Sequence, residues 1–409
     1  MKILVMNAGS SSQKSALYEV EEALPDRPSN PLWKASIDWA QQPGTADLKI
    51  STQAGVTVHK TLPSTSRDGV IHSLLASLWQ GETKVVEAPE AIALVGHRVV
   101  HGGDKYRESV RITPEVKEAI ARFARFAPLH NPANLEGINA IEQVLGSVPQ
   151  VAVFDTAFHS SLPLAATVYP IPYTWYEQGI QRYGFHGTSH RYCAERAAEM
   201  LGHPQSLRLI ICHLGNGASL SAVRDGQCID TTMGFTPLEG LMMGSRSGSV
   251  DPGILIYLLR QEGLSADDLD RMLNQESGLL GLSGVSSDLR QVMGAIAQGN
   301  SQAQLALEVY LHRLRSLIGS LIPGLGGLDA LVFTAGIGEN SPDVRAAASQ
   351  GLAFLGLQID PEKNGRSPSD HDRDIATADS AIRALVIHTQ EDWMIVRDCW
   401  QISQTQSAN

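Results

Sequence analysis

The stretch LIICHLGNGASLSAV, Leu209–Val223, repeats the grammar of ILVMNAGSSSQKSALY, Ile3–Tyr18: an apolar strand, a turn of small polar residues, then a second alternating strand. One unit present twice calls for two similar lobes. The 409-residue length agrees, because it exceeds what a single hydrophobic core usually supports. A third strand running into glycines follows at LVFTAGIGEN, Leu331–Asn340. Glycine at such places lets backbone N–H groups approach an anion that a Cβ would hold away. Read singly, each turn is equally a tight hairpin. Neither a Walker A sequence nor a G-x-G-x-x-G after a strand occurs, so the P-loop and nicotinamide readings lose ground.

Short β-branched runs predict strands at Ile3–Met6, Ala16–Val20, Ile92–Val95, Val151–Phe154, Leu207–Cys212, Leu328–Phe333 and Ile382–Ile387. Helical periodicity marks Pro114–Phe126, Ala133–Val144, Ser189–Leu201, Ile254–Leu259, Gln302–Leu321 and Glu391–Gln401. Interleaved strands and helices imply an α/β fold. Residues 25–66, rich in Pro, Ser, Gln and Thr, read as an elaboration on the first domain. The strand ending VAVFD and the Pro-rich stretch after Leu162 put a boundary near residue 155. The expected domains are 1–155 and 156–390, with the last helix, 391–409, returning to the first.

The net charge of −11, without a Lys/Arg block, disfavours a nucleic acid or an anionic membrane as partner. Cys193, Cys212, Cys228 and Cys399 form no C-x-x-C pair and read as reduced core thiols, which points to the cytoplasm. No apolar run approaches the ~18 residues of a membrane span.

Several side chains near these turns carry chemistry. Lys14, just past the Ser10–Ser12 run, could place an ammonium on a terminal phosphate, and a solvated strand lysine is the plainer alternative. Asn7 could hold magnesium directly or through water, with Glu391 and Asp155, both expected at strand ends, as supporting carboxylates. Arg98 in GHRVVHGGDKY and Arg246 in MMGSRSGSVDPG sit among residues small enough for a guanidinium to fork onto a carboxylate or a phosphoryl group. His186 and His190 in RYGFHGTSHRY have a chelating spacing, but no third ligand accompanies them. His186, before the Thr188/Ser189 cap, is better placed to donate to a developing phosphoryl charge. Asp155 lies where a strand enters a loop, a frequent address for catalytic carboxylates and also for helix caps.

Ten motifs in order, MNAGSSSQK, GHRVVHGG, PLHNP, FDTAFH, RYGFHGTSH, HLGNGAS, GSRSGSVDPG, SSDLR, AGIGEN and TQED, resemble the acetate kinase family. That family belongs to the wider superfamily of acetate and sugar kinases, Hsp70 and actin. The resemblance implies two duplicated ribonuclease-H-like (actin-like ATPase) domains with a cleft between them, usually as a homodimer. It implies reversible transfer of the ATP γ-phosphoryl group to acetate, giving acetyl phosphate and ADP, with magnesium or manganese. By resemblance Asn7 and Glu391 serve the metal, and Lys14, with Ser10 and Ser12, serves the nucleotide phosphates. Arg98 takes the acyl carboxylate, Asp155 is the catalytic carboxylate, and His186 and Arg246 stabilise the phosphoryl transition state. His213, Leu214, Gly215, Asn216 and Gly217 would bind ATP, as would Asp288, Leu289 and Arg290, and Gly336, Ile337, Gly338, Glu339 and Asn340. Val100, Leu129, Phe185 and Pro237 match the pocket for the acetate methyl group.

The chain has Ser249 where the family usually has aspartate in RSGD, and Gln390-Glu391-Asp392 where it usually has NEE. A propionate or butyrate kinase differs only in pocket volume, and an Hsp70- or actin-type ATPase shares the fold without the acyl acceptor.

Overall fold

The computed structural model describes the chain apart from residues 10–11, 26, 40–43, 65–66, 129, 203–205, 367–370 and 408–409. Two compact units emerge: Met1–Ala157 with Gln390–Asn409, and Phe158–Thr389. Ser10 and Leu129, expected at the nucleotide phosphates and the methyl pocket, lie outside the described residues.

The first unit is built on an eight-stranded sheet: β1 Lys2–Ala8, β2 Ser12–Glu19, β3 Trp33–Asp38, β4 Thr45–Thr52, β5 Thr57–Pro63, β6 Leu94–Val99, β7 Val110–Arg111 and β8 Gln150–Phe154. Their order is β5-β4-β3-β2-β1-β6-β8-β7. The second unit has six strands: β9 Arg208–Leu214, β10 Ala218–Arg224, β11 Gln227–Thr231, β12 Ala330–Thr334, β13 Arg373–Asp374 and β14 Arg383–Val386, in the order β11-β10-β9-β12-β14-β13. The segments β3-β2-β1-β6-β8 and β11-β10-β9-β12-β14 have the same topology. Each is a three-stranded antiparallel meander whose first strand runs parallel to the next two. This is the ribonuclease-H-like order of actin-like ATPases, present twice. The stretch 25–66 is only in part an elaboration: it supplies β3, which belongs to the repeated order, as well as β4 and β5, which widen the first sheet beyond it.

Buried apolar residues on both faces of β1 explain why its sequence reads as a continuous run rather than an alternation. Leu4 and Met6 pack into one cluster with Val70, Ile71, Leu74 and Leu75 of the helix Arg67–Ala76 and Ala140 and Ile141 of the helix Asn131–Leu145. Ile3 and Val5 point the other way, toward Trp393, Ile395 and Val396 of the C-terminal helix Glu391–Ser407. Each fully buried side chain of this size contributes about 1.5–3 kcal/mol. That helix presses so closely on β6 that an ideal Cβ on Gly96 would lie 2.4 Å from Ile395 Cγ2 and 2.6 Å from Cys399 Sγ. Gly96→Val would therefore collide with Ile395 and Cys399 of that helix, an overpacking that costs about 1–3 kcal/mol. In the second unit the helix Ser301–Leu325 buries Ala303, Ala306, Tyr310, Leu314, Ile318, Leu321 and Leu325, one stripe at helical spacing, against β9 and β10.

The third glycine stretch departs from expectation. After β12, Ala335–Asn340 form a short helix rather than a hairpin turn. Ala335 takes the left-handed conformation at φ 63°, and its N–H donates to Glu339 Oε1 at 2.8 Å. Among the described residues no helix is long and apolar enough to cross a membrane.

Candidate active site

In the first unit β1, β6 and β8 run parallel, so their C-terminal ends lie side by side, the usual address of ligands in such sheets. Asn7 is near the end of β1, Arg98 near the end of β6, and Asp155 follows β8. Arg98 Nε donates to Asp155 Oδ1 at 2.9 Å and Oδ2 at 3.0 Å, and Nη2 donates to Oδ2. Its Nη1 reaches Asn7 Oδ1 at 3.4 Å. Asn7 Nδ2 in turn donates to Asp392 Oδ1 at 3.2 Å and approaches Glu391 Oε2 at 3.5 Å. Glu391 thus opens the C-terminal helix instead of ending a strand.

Burial by itself would lower the Arg98 pKa, but the Asp155 carboxylate, with Glu391 and Asp392, raises it, so the guanidinium stays charged. Asp392 moves the other way: burial and then the neighbouring Glu391 charge push its carboxyl up, although Asn7, Lys14 and Lys34 favour its ionised form. The crowded Glu391 and Asp392 carboxylates supply oxygen donors that suit a hard divalent cation, which also relieves their repulsion, while Asn7 turns its amide nitrogen toward them and its amide oxygen toward Arg98. Among the described residues no three His, Cys, Asp or Glu could cage a metal unaided. Asp392 had no role assigned from sequence; its signal was a second carboxylate in the first turn of the helix. Lys14 is exposed on β2, in register with Asn7, and Ser12 is exposed beside the turn, where Gly9 N–H donates to Ser12 O at 2.7 Å.

Val100 is buried, and Asn134 Oδ1 accepts its N–H at 3.1 Å. Asn131 accepts from His101 N–H at 3.2 Å and donates back to the His101 carbonyl at 3.1 Å. The HNPAN run at the helix start therefore fixes the segment after Arg98.

In the second unit β9 and β10 form the hairpin whose turn is Gly215-Asn216-Gly217, closed by Gly215 N–H to Gly217 O at 3.0 Å. Three side chains converge on it. A Cβ on Gly217 would stand 3.5 Å from His186 Nε2 and 3.6 Å from Arg246 Nη1, and one on Gly215 would stand 3.8 Å from His213 Nε2. His186 is left-handed at φ 57° and precedes the helix Gly187–Leu201. Its ring stacks on His213 at 4.2 Å between centroids. Its Nδ1 faces Ser219 Oγ at 2.9 Å, while His213 Nδ1 faces Ser189 Oγ at 2.8 Å. Arg246 is steered by Nη1 donation to the Pro237 carbonyl at 3.3 Å and by a tight turn in which Met243 N–H donates to the Arg246 carbonyl at 3.1 Å.

Asn216 lies against Gly244, where a Cβ would be 2.0 Å from Asn216 Oδ1 and 2.9 Å from the Ser287 carbonyl. Phe185 is buried, and His159 Nε2 donates to its carbonyl at 2.9 Å. Burial lowers the His159 pKa to about 4, so its ring is neutral. Ser249 Oγ accepts from Gly240 N–H at 3.0 Å, so the hydroxyl keeps one acceptor where the family usually carries aspartate. Asp288 caps the helix Leu289–Ala297 through Arg290 N–H at 2.9 Å and pairs with the exposed Arg290 side chain. Leu214 and Leu289 are buried, so only their backbones can face a ligand. Glu339 Oε2 accepts from His388 Nδ1 at 2.6 Å, and Asn340 Nδ2 donates to Gly336 O at 2.9 Å.

Residues 2–397 match the model of the acetokinase family. An acetate kinase from Cyanothece sp. (strain PCC 7425) is 63% identical over 408 residues, covering 100% of both chains. The crystal structure of Porphyromonas gingivalis acetate kinase superposes with a TM-score of 0.89 at 40% identity, covering 98% of this chain and 99% of that one. A propionate kinase from Francisella tularensis gives 0.88, also at 40% identity and the same coverage. The chain belongs to the acetokinase family, kinases that transfer a phosphoryl group to a carboxylate.

Proposed function

We propose that this chain catalyses reversible, magnesium-dependent transfer of the ATP γ-phosphoryl group to acetate, giving acetyl phosphate and ADP. The observation that carries the reading is the convergence of His186 Nε2 and Arg246 Nη1 on the Gly217 turn. Two donors aimed at one glycine suit the equatorial oxygens of a transferring phosphoryl group. An acetate oxygen bonds to phosphorus while the bridging oxygen leaves with ADP. The acceptor is already ionised near neutrality, so the step needs no strong base.

In this reading Arg98 aims the acetate carboxylate and Asp155 holds Arg98. Val100, Leu129, Phe185 and Pro237 receive the methyl group. Lys14, Ser10 and Ser12 meet the nucleotide phosphates, and His213–Gly217, Asp288–Arg290 and Gly336–Asn340 bind the rest of ATP. Asn7, Glu391 and Asp392 would hold magnesium, or manganese in its place. Bound there, the ion would neutralise and orient the phosphates.

Trapping acyl phosphate with hydroxylamine, using acids of two to four carbons with ATP and magnesium, tests the proposal. Acetate is expected to give a hydroxamate together with acetate-dependent ADP release; no product from any acid would sink the reading. The Francisella relative supports propionate as a second substrate, since one methylene in an apolar pocket is worth only about 1–3 kcal/mol.

We place the work in the cytoplasm, where the four buried free thiols stay reduced. We further read the protein as a homodimer. The helix Pro252–Gln261 buries none of its residues and leaves Ile254 49% and Tyr257 56% exposed, with Ile256 and Leu259 also open. An apolar face of this kind suits a symmetric partner, and a single species at twice the chain mass in sedimentation is the expected result.

A further inference from the structure

Ser219 sits on β10 with no exposed surface, and its Oγ lies between two imidazoles: 2.9 Å from His186 Nδ1 and 2.7 Å from His190 Nε2. Strand register places Ser219 opposite His213, while His186 and His190 come from the start of the helix Gly187–Leu201. His190 is fully buried, stands edge-on to His159 at 5.6 Å, and its Nδ1 has no hydrogen-bond partner. The Ser219 hydroxyl makes no third side-chain hydrogen bond among the described residues.

A hydroxyl has one proton to give and two lone pairs to receive, so three arrangements satisfy the two contacts. If His186 donated from Nδ1 and Ser219 donated to His190, the His190 proton would sit on Nδ1, a buried N–H with nothing to receive it. If both rings donated, the serine proton would be orphaned. If His190 Nε2–H donates to Ser219 and Ser219 O–H donates to His186 Nδ1, every proton is used and only the lone pair of His190 Nδ1 stays bare. Orphaned buried donors are the rarest and costliest unsatisfied groups. A doubly protonated His190 is excluded because burial, with His159 and His213 nearby, drives its pKa well below the usual value.

We propose that His190 and Ser219 form a directed hydrogen-bond relay that locks His186 in the tautomer carrying its proton on Nε2, the atom facing the Gly217 turn. His186 is then a neutral donor at that turn in every molecule, beside Arg246. Ser219 and His190 are positioning residues: neither needs to touch substrate, and both act through His186. A parallel arrangement serves the stacked ring, because Thr389 Oγ1 donates to Ser189 Oγ at 2.8 Å, which leaves the Ser189 proton for His213 Nδ1. The relay's catalytic value rests on the reading of His186 as a phosphoryl donor; its existence does not.

The test is nitrogen-15 side-chain NMR of the histidines in the full-length protein, joined to kinetics. In the unmodified protein His186 is expected with Nε2 protonated and Nδ1 bare. Ser219→Ala is expected to release that preference and to lower kcat about tenfold, short of the ~100-fold or greater loss from removing such a donor outright, with both KM values held. Ser219→Thr keeps a hydroxyl and should restore tautomer and kcat together. His190→Gln, which keeps a donor near the Nε2 position, should outperform His190→Leu; if the leucine variant does not fold, the Ser219 pair and the unmodified spectrum decide. A proton on His186 Nδ1 in the unmodified protein, or an unchanged tautomer in Ser219→Ala, overturns the relay. An intact relay together with full kcat in His186→Ala would overturn the functional reading instead.

Discussion

Asp155 grips Arg98 from the side, through Nε and Nη2, and leaves the Nη1 edge of the guanidinium turned toward Asn7. Arginine has five N–H donors in a rigid fork, so this pairing fixes the plane of the fork while leaving donors for a second carboxylate. Asp155→Asn keeps the shape and loses the charge. The expected outcome is a rise of about tenfold in acetate KM, from loss of one charge-assisted contact worth ~1.5–3 kcal/mol, with ATP KM unchanged. Steady-state kinetics in both substrates check it. An unchanged acetate KM would mean that Asp155 does not act through Arg98.

The two arginines should fail differently. Arg98→Ala removes a ground-state contact and is expected to raise acetate KM about 10–100-fold while sparing ATP. Arg246→Ala removes a charge needed only as the phosphoryl group moves, so kcat should fall on the order of a thousandfold with smaller KM changes. Comparable losses of acetate affinity in both variants would dissolve this division.

The strand framework was readable because both copies are β-branched runs broken at Gly and Asn, and burial on two faces makes such runs continuous. AGIGEN misled: its glycines suggest a turn, yet the contact from Glu339 to the Ala335 N–H closes a helical turn that local propensity does not announce. His186 and Arg246 could be named from their neighbours in sequence. Ser219 and the roles of His190 and Asp392 could not, since their partners come from strand register and from the chain's far end, relations that no local spacing encodes. Gly244 was invisible for the same reason: its meaning is the side chain of Asn216 laid against it.

That contact is testable. An alanine Cβ at position 244 would push Asn216 aside and crowd the Ser287 carbonyl, which cannot retreat as a side chain can. Overpacking of this kind costs about 1–3 kcal/mol, and the displaced residue belongs to the proposed nucleotide turn. Gly244→Ala is therefore expected to raise ATP KM about tenfold and leave acetate KM alone. Calorimetric titration with ADP gives an independent reading, and undiminished ADP affinity would remove Asn216 from the nucleotide site.

Glu339 offers a pH-dependent test of the second unit. Burial alone would raise its carboxyl pKa, but the His388 ring and the N–H groups of Thr389 and Ala335 outweigh burial and hold it below the usual range. A carboxyl held low in the folded state adds stability that is complete above its unfolded value, near ~4.3. That stability is lost as pH falls through the lower folded value. Glu339→Gln should accordingly melt below the parent protein at about pH 7, by ~2–4 °C for each kcal/mol lost. The gap should narrow steadily as pH drops below about 4. Thermal melts across that range check the sign: a gap that widened in acid would show that the Glu339 charge opposes folding. The contacts from Thr334, Ala335, His388 and Thr389 on its two oxygens would then be a consequence of the local fold rather than part of what holds it.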